Sequence, residues 1–383
     1  MGLAWGTGRL NCDPRLEYHH SPSTSAGKGP RIPGVDGRML LFLQPGSTEQ
    51  TGEALLSTLR AAGLDGQTVA EQPRRVIRLR GVPHSLEWLQ SLPGVLYVIP
   101  AERPFHLTLK DTPTQKTTIR VADHTIGATE PTIIAGPCAV EDADQLAAMA
   151  CTLKRSGAHL LRGGAYKPRS SPYDFQGLGR EGLRMLAAAG RSAGLPIVTE
   201  AVDERSLDEI EEWTHVIQVG ARNMHNYALL KRVGASRLPV FLKRSFSATL
   251  EDFLLAAEYL LEQGNPNVML CERGIRTFSD HSRFTLDLSI VPRLQELSHL
   301  PVFVDPSHAS GRRSSVSALA KAAVAAGADG VMVEVHPNPD NAMCDGPQSL
   351  EPAAFEMLAH QIRLLAAVRD GQGETVPCAA DPR

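Results

Sequence analysis

Four side chains with metal-binding chemistry lie at or just beyond the ends of apolar segments in the last two-thirds of the chain. Cys138 follows Ile-Ala-Gly-Pro and His308 follows Val-Asp-Pro-Ser, whereas Glu334 ends Val-Met-Val and Asp345 lies in a loop rich in Gly and Pro. A thiolate, an imidazole and two carboxylates suit a borderline divalent ion such as Mn, Fe, Co or Zn better than they suit Mg. These residues therefore predict a metal site, if the fold brings them together.

Each of the four residues, taken alone, also has an ordinary structural explanation. Cys138 could be a small buried hydrophobe, His308 a hydrogen-bonded polar residue, and Asp345 a turn former. Glu334 is flanked by two valines, and a carboxylate buried there without a partner would be energetically expensive. The metal interpretation therefore depends on all four converging at one place.

Cationic side chains recur at the ends of other apolar segments. They are Arg162, Lys167, Arg169, Arg222, Lys243, Arg244, Arg273 and Arg276. Solvated surface charges are the usual explanation, but such charges do not repeatedly follow buried segments. Two groups of cations fit two phosphates, or a phosphate and a carboxylate, which arginine binds through paired hydrogen bonds. Glu200 ends another apolar segment and would either orient a lysine or a substrate, or pair with a neighbouring arginine.

Composition excludes several other classes of function. The chain has 383 residues and a formal net charge of -3, and its Lys and Arg residues form no long runs, so we expect no nucleic-acid partner. No apolar stretch approaches the roughly 20 residues of a membrane helix, and no signal peptide is evident, so we expect no membrane partner. The six cysteines show no paired spacing, which is typical of a protein of the reducing cytoplasm.

The catalytic part of the chain is predicted to be an α/β barrel over residues 132–370. Eight short segments, rich in Val, Ile and Leu as buried parallel strands are, alternate with helical segments. They are Thr132–Ala135, His159–Arg162, Pro196–Thr199, Val216–Val219, Pro239–Lys243, Asn267–Cys271, Pro301–Val304 and Gly330–Glu334. Eight such units fit a closed (β/α)8 (TIM) barrel, whose site lies at the carboxyl ends of the strands. A doubly wound open sheet is the alternative, but its ligands would concentrate at one switch point.

The rest of the chain divides into a small domain and three connecting or terminal segments. Residues 1–37 and 371–383 are expected to be tails, the first of them disordered because it is polar and rich in Gly, Pro and Ser. Residues 38–105 show a βαββαβ order, which predicts a ferredoxin-like (ACT-like) α+β domain with a regulatory or an oligomerisation role. Residues 106–131 are expected to be a linker with one short strand at Thr117–Asp123.

Several long motifs resemble those of one known family. The motifs include Gly136-Pro-Cys-Ala-Val-Glu141, Lys167-Pro-Arg-Ser-Ser-Pro-Tyr-Asp-Phe-Gln-Gly-Leu-Gly179, Gly220-Ala-Arg-Asn223 and Asp305-Pro-Ser-His308. They resemble type I beta DAHP (3-deoxy-D-arabino-heptulosonate 7-phosphate) synthase, and the resemblance extends over residues 118–370. The segment at 39–105 resembles the ferredoxin-like extension that some members carry.

The resemblance implies a reaction, its substrates and its cofactor. The family condenses phosphoenolpyruvate (PEP) with erythrose 4-phosphate to give DAHP and phosphate, the first step of the shikimate pathway of aromatic amino acid biosynthesis. A divalent ion is implied as cofactor. Feedback by an aromatic amino acid, and assembly as a homodimer or homotetramer, are further expectations.

The resemblance also implies a role for each site residue. Cys138, His308, Glu334 and Asp345 match the metal ligands, and Lys167, His308 and Cys138 match residues expected at the reacting atoms. The PEP contacts are implied to be Arg162, Lys167, Glu200, Ala221, Arg222, Lys243 and Arg273. The erythrose 4-phosphate contacts are implied to be Pro168, Arg169 and Ser170. Ser170 departs from the usual Thr but keeps the hydroxyl.

Two other functions compete with this interpretation. Sister enzymes that make 3-deoxy-D-manno-octulosonate 8-phosphate share the barrel and the PEP site, but an Ala-Asn-Arg type of run replaces Pro168-Arg169. The Lys-Pro-Arg run of this chain therefore favours the four-carbon sugar. A catalytically inactive barrel that acts as a sensor or scaffold is the second alternative, and the intact metal quartet and cation groups argue against it.

Overall fold

The computed structural model describes residues 38–369 except 71–74, 82, 84, 101–104, 111, 113 and 170. The two predicted tails and the predicted phosphate contact Ser170 lie outside the described residues.

The N-terminal unit is a four-stranded antiparallel sheet with two helices. Its elements are β1 (Arg38–Leu43), α1 (Glu49–Ala61), β2 (Asp65–Ala70), β3 (Val76–Arg80), α2 (Leu86–Gln90) and β4 (Val95–Pro100). The strand order β2-β3-β1-β4 follows from the predicted βαββαβ order when the β2–β3 pair lies beside β1. Side chains alternate along β1, so Met39 and Leu41 belong to the main core of the unit and Phe42 lies on the other face.

A two-stranded hairpin, rather than the single strand predicted at Thr117–Asp123, precedes the barrel. Its strands are β5 (Ile119–Val121) and β6 (His124–Ile126). Ile119 and Ile126 pack against barrel-interior side chains such as Phe241 and Phe303. The hairpin therefore closes the amino-terminal end of the barrel, a role that its short apolar pattern did not reveal.

Eight parallel strands form a closed barrel, which confirms the predicted fold and rules out the open sheet. The strands are β7 (Thr132–Gly136), β8 (Leu160–Arg162), β9 (Ile197–Ala201), β10 (Val216–Val219), β11 (Val240–Lys243), β12 (Val268–Glu272), β13 (Val302–Val304) and β14 (Gly330–Glu334). Closure occurs where β14 pairs with β7, from Gly330 opposite Thr132 to Glu334 opposite Gly136.

Helices surround the barrel and return the chain to its amino-terminal end. They are α3 (Ala143–Ser156), α4 (Gly179–Ala193), α5 (Glu204–Glu211), α6 (Tyr227–Gly234), α7 (Leu250–Glu262), α8 (Ile290–Leu297), α9 (Pro306–Ser310), α10 (Arg313–Ala325) and α11 (Pro352–Arg369). Local signals set their ends: Thr249 and Asp252 form a capping box at α7, and Gly157 ends α3 in the left-handed conformation. Within the described part of the chain, no helix is long and apolar enough to cross a membrane.

The N-terminal unit is attached to the barrel through a half-buried carboxylate. Glu258 on α7 accepts backbone N–H hydrogen bonds from His106, Leu107 and Thr108, at 2.7, 2.7 and 3.0 Å. The ring of His106 in turn lies edge-on to Phe42 of the sheet, with 5.4 Å between ring centroids. The linker is therefore held by the barrel on one side and by the sheet on the other.

A stacked pair of imidazoles lies at the amino-terminal end of the barrel. The rings of His124 and His159 are 4.3 Å apart between centroids, and His159 Nδ1 accepts the N–H of Ile133 at 2.9 Å. Burial, assisted by nearby His124 and Lys154, lowers the pKa of His159 to about 4. The fold therefore favours the neutral ring, because protonated Nδ1 could not accept this hydrogen bond.

We predict that the barrel loses stability as the pH falls from 6.5 toward 4. The unfolded chain binds a proton at His159 near the ordinary pKa of 6.5, whereas the folded chain does so only near 4. Linkage makes the loss about 1–3 kcal/mol over this window. Urea midpoints at pH 7 and pH 5 should therefore differ less for His159→Gln than for the wild type. His360→Gln, at an exposed position on α11, is the control, and an equal pH effect in all three proteins would contradict the prediction.

Candidate active site

The carboxyl ends of the barrel strands surround a polar cavity of about 180 Å³. Its lining residues come from almost every strand end, as expected for a barrel of this type. They are Arg162, Lys167, Pro168, Arg169, Asp174, Glu200, Gln218, Gly220, Ala221, Arg222, Lys243, Arg273, Arg283, His308 and Asp345. Every predicted PEP contact lies in this wall, as do Pro168 and Arg169.

The four predicted metal ligands converge beside this cavity. One candidate ligand atom from each of Cys138, His308, Glu334 and Asp345 lies within 4.8 Å of the other three. Cys138 Sγ is 3.1 Å from Asp345 Oδ2, and His308 Nε2 is 3.3 Å from Glu334 Oε1. His308 and Asp345 line the cavity, whereas Cys138 and Glu334 are buried behind them.

The electrostatics of this cluster fit a divalent cation. The hydrogen bond to Cys344, together with burial and nearby Glu334, raises the pKa of the Cys138 thiol well above its ordinary value. Burial opposes ionisation of Asp345, yet His308 and the Cys138 hydrogen bond keep its pKa low. A divalent cation would offset the negative charge of a thiolate beside two carboxylates, and the sulfur, nitrogen and oxygen donors match a borderline metal ion.

Partners outside the quartet hold the carboxylate of Glu334 in place. Arg162 Nη1 donates to Oε1 at 2.7 Å, and Gln348 Nε2 donates to Oε2 at 2.5 Å. Asp305 similarly contacts the imidazole of His308. Neither Gln348 nor Asp305 was predicted as a site residue, although Asp305 begins the Asp305-Pro-Ser-His308 motif. In a sequence, an Asp before Pro is typical of a turn or a helix cap. The side-chain contact of Asp305 with His308 therefore could not be predicted.

The cation groups retain buried nitrogen atoms without partners. Among the described residues, Arg162 Nε and Arg273 Nη1 are buried and make no hydrogen bond. Arg273 lies over the ring of Phe284, at 4.5 Å from the centroid, and burial lowers its pKa. A buried charged donor without an acceptor is costly, and an anion in the cavity would remove that cost.

Two of the cations that follow the predicted strands do not reach the cavity. Arg244 instead pairs with the buried Glu272 at 2.9 Å and with the half-buried Asp287 at 3.0 Å. Arg276 lies over the ring of Phe246, at 5.0 Å from its centroid. Both residues stabilise the loops around the site rather than its wall.

Four lining residues were not among the predicted site residues, and one of them contacts Glu200. They are Gln218, Gly220, Arg283 and Asp174. Gln218 Nε2 donates to Glu200 Oε2 at 3.0 Å, so Glu200 is held by an amide rather than by the neighbouring arginine that the sequence left open. Arg283 lies 3.5 Å from Asp345 Oδ1 and reaches the wall from a long loop, where no strand pattern marks it.

The loop after β8 brings two cations against two thiols. Lys167 Nζ lies 3.0 Å from Cys138 Sγ, and Arg169 Nη1 lies 2.7 Å from Cys344 Sγ. Cys138 and Cys344 are themselves 3.1 Å apart between sulfur atoms. The predicted sugar-phosphate contact Arg169 therefore lies beside the predicted metal cluster.

A model of the DAHP synthetase I family matches residues 111–367 of this chain. The chain belongs to that family. The family predicted from the sequence is thereby confirmed, and with it the predicted activity, condensation of PEP with erythrose 4-phosphate at the start of the shikimate pathway.

Known relatives of the DAHP synthetase I family extend this match beyond the barrel. Phospho-2-dehydro-3-deoxyheptonate aldolase of Thermotoga maritima is 44% identical over 330 residues, 86% of this chain and 98% of that protein. Its crystal structure superposes with a TM-score of 0.70 at 43% identity, over 87% of this chain and 98% of that chain. A truncated form of the T. maritima protein matches 69% of this chain with a TM-score of 0.65.

The sister activity is represented by more distant relatives. The 2-dehydro-3-deoxyphosphooctonate aldolase of Syntrophobacter fumaroxidans is 33% identical over 248 residues, 60% of this chain and 85% of that protein. The 44% identity with the T. maritima heptonate aldolase is therefore both higher and more extensive.

We predict that Cys344 makes the site sensitive to oxidation. The hydrogen bond from Cys138 lowers the pKa of the Cys344 thiol, so Cys344 is the sulfur that peroxide oxidises more readily. Cys138 lies 3.1 Å away and can attack the oxidised sulfur with loss of water, forming a disulfide that removes a predicted metal ligand. Cys344→Ser should therefore stay active longer in hydrogen peroxide than the wild type, whose activity should return with dithiothreitol. Cys151→Ser, which removes an exposed thiol on α3, is the control. If Cys344→Ser is inactivated as fast as the wild type, Cys344 is a bystander.

Proposed function

We propose that this cavity carries out the condensation with one divalent ion held by Cys138, His308, Glu334 and Asp345. The proposal rests on two neighbouring groups of residues that fit ligands of opposite charge. One is the cluster of sulfur, nitrogen and oxygen donors, which fits a cation. The other is the cationic wall of the cavity, where buried arginine nitrogens have no hydrogen-bond partner in the described structure. An aldose phosphate and an enol phosphate together supply the missing anions.

PEP is assigned to the inner part of the wall. Arg162, Lys243 and Arg273 are buried there, and Arg222 approaches from the short helical turn Ala221–Asn223 after β10. Lys167 and Glu200 complete the set, and Ala221 contributes its backbone N–H. These cations can clamp the carboxylate and the phosphate of PEP, so that positioning and electrostatic stabilisation supply much of the rate.

Erythrose 4-phosphate is assigned to the loop after β8. Arg169 would bind its phosphate, Pro168 shapes the loop, and Ser170 would add a hydroxyl contact. Arg169 is now held by Asp174, 3.2 Å away, and by the Cys344 sulfur. When the sugar phosphate binds, a phosphate oxygen would therefore replace Asp174 as the hydrogen-bond acceptor of Arg169.

The reaction then follows from the placement of these groups. A divalent ion in the quartet would act as a Lewis acid toward the aldehyde oxygen of erythrose 4-phosphate. C3 of PEP forms a bond to the aldehyde carbon, positive charge develops at C2, and water adds there before phosphate leaves. Lys167 Nζ lies 3.0 Å from Cys138 Sγ, so it can deliver a proton to the oxygen of the former aldehyde.

One assay separates the proposed activity from its rivals. PEP consumption is measured with erythrose 4-phosphate and with arabinose 5-phosphate, each with and without a chelator. We expect turnover with erythrose 4-phosphate only. Faster turnover of arabinose 5-phosphate would identify the sister activity, and no turnover of either, with Mn²⁺ supplied, would favour an inactive scaffold.

We predict that activity requires the divalent ion. A chelator should abolish turnover, and Mn²⁺ or another borderline ion should restore it. Cys138→Ala should lose metal binding and activity together, because it removes the only sulfur donor of the quartet. Cys271→Ala is the matched control, since Cys271 is a buried thiol that packs in the barrel interior instead. Full turnover of a protein shown to contain no metal would refute the prediction.

We predict that Arg169 and Arg222 serve different substrates. Losing a charge-assisted contact to phosphate costs about 1.5–3 kcal/mol, or about 10- to 100-fold. Arg169→Ala should raise the KM for erythrose 4-phosphate by this factor and change the KM for PEP far less. Arg222→Ala should show the reverse pattern. Equal weakening of both substrates in both variants would show that the assignment is wrong.

We propose that the N-terminal unit mediates feedback by an aromatic amino acid and contributes to a homo-oligomer. Its junction with the barrel includes Pro266, which precedes β12, and His299, which precedes β13, so it lies at the end opposite the cavity. The unit therefore supplies no residue to the cavity of its own chain among the described contacts. Its influence on the reaction must pass through the barrel or through a second copy.

We predict that a chain beginning at Thr117 keeps its activity and loses any inhibition. It retains the hairpin that closes the barrel and the Thr117 N–H hydrogen bond to His299, 2.7 Å in length. Turnover should be measured with millimolar tyrosine, phenylalanine and tryptophan for both chain lengths. If the full-length enzyme ignores all three, the regulatory role is wrong and the oligomerisation role remains.

A further inference from the structure

A buried carboxylate that belongs to neither proposed ligand set lies between the two. Asp305 directly follows β13, is fully buried at 0% exposure, and caps the short helix α9. Its Oδ1 accepts the backbone N–H of His308 at 3.0 Å. Its Oδ2 accepts both His308 Nδ1 at 2.7 Å and Lys243 Nζ at 2.5 Å.

The contact with His308 sets the direction of the imidazole. Because Nδ1 donates to Asp305, Nε2 is the nitrogen that faces Glu334 at 3.3 Å and Asp345 at 3.9 Å. A carboxylate that accepts a hydrogen bond from one ring nitrogen of a histidine orients the other nitrogen toward a metal ion. Two hydrogen bonds from His308 to one carboxylate leave the ring little freedom to turn.

The contact with Lys243 sets the position of a substrate cation. The Lys243 side chain is 4% exposed and extends from the end of β11 into the cavity wall. A buried ammonium requires a counter-charge, and Asp305 supplies it across the intervening strand β12. The position of this ammonium relative to the metal cluster is therefore determined by the same oxygen atom that holds His308.

We propose that Asp305 is a positioning residue that couples occupancy of the divalent-ion site to PEP binding. The inference rests on the proposed function, which gives His308 to the ion and Lys243 to PEP. When His308 binds the ion, its hydrogen bond holds Asp305 Oδ2 in position. Asp305 Oδ2 in turn holds the Lys243 ammonium where it can bind the PEP anion. Such coupling is reciprocal, so the ion and PEP must strengthen each other's binding by the same factor.

A purely structural role for Asp305 makes a different prediction. A buried ion pair that only stabilises the fold would lower stability when broken, but it would leave both binding constants unchanged. Glu272 provides the matched control, because it ends the neighbouring strand β12, is also 0% exposed, and pairs with Arg244 at 2.9 Å. Neither Glu272 nor Arg244 lines the cavity wall.

The test measures binding in the full-length chain, without turnover. Metal-free wild type, Asp305→Asn and Glu272→Gln are titrated with Mn²⁺ in the presence and absence of PEP, and with PEP in the presence and absence of Mn²⁺. Asparagine removes the negative charge that pairs with the Lys243 ammonium. Its single oxygen also cannot replace both carboxylate oxygens, which accept from the His308 backbone N–H, from His308 Nδ1 and from Lys243 Nζ. Asp305→Asn should weaken Mn²⁺ binding by about 10- to 100-fold and should reduce the coupling factor toward one. Glu272→Gln should keep the wild-type constants.

Each outcome separates the inference from the proposed function. Wild type that binds neither Mn²⁺ nor PEP would overturn the proposed function itself. If the wild type binds both ligands without coupling, only the inference is overturned. The same holds if Asp305→Asn has the binding constants of the wild type. If Asp305→Asn does not fold, Lys243→Met is titrated in its place. The inference is supported if this variant has an altered Mn²⁺ affinity and if Mn²⁺ no longer strengthens its remaining PEP binding. Unchanged Mn²⁺ affinity in Lys243→Met overturns it.

Discussion

Closure of the barrel between β14 and β7 is the constraint on which the site depends. It sets Glu334 opposite Gly136, two residues before Cys138, although these residues are far apart in the chain. The approach of β7 to β8 is close as well, because a Cβ at Gly136 would lie 2.0 Å from the carbonyl oxygen of Arg162. Gly136, at φ 152°, therefore permits the metal cluster and the first substrate cation to share one rim.

Concentrating charges at that rim has an energetic consequence. Some of them neutralise each other in the fold, as in the buried pairs Arg162–Glu334 and Lys243–Asp305. Others do not, such as the Arg273 nitrogen without a partner in the described structure. Burial of charge repays its desolvation cost only when partners are present. Part of that cost remains until anionic substrates bind, so the site gives up stability for affinity.

The N-terminal unit has a hydrophobic core of its own and meets the barrel at the end remote from the cavity. Glu258 holds the linker by three backbone hydrogen bonds, which fixes the chain path without involving any cavity residue. A truncated form of the T. maritima relative likewise matches only 69% of this chain. An additional unit attached at that end leaves the residues around the cavity unchanged.

The sequence by itself determined the barrel and the residue types of the site, because eight apolar segments with charged ends leave few architectures open. The family followed from a different signal, the resemblance of the long motifs. The sequence did not determine which neighbouring side chain faces the cavity. Lys243 and Arg244 are adjacent cations, yet the first lines the wall and the second pairs with Glu272. Asp305, Gln348 and Arg283 have no strand periodicity to mark them, and only the folded loops bring them to the cluster. Side-chain direction at a strand end and loop path are tertiary properties, since packing against other strands decides both.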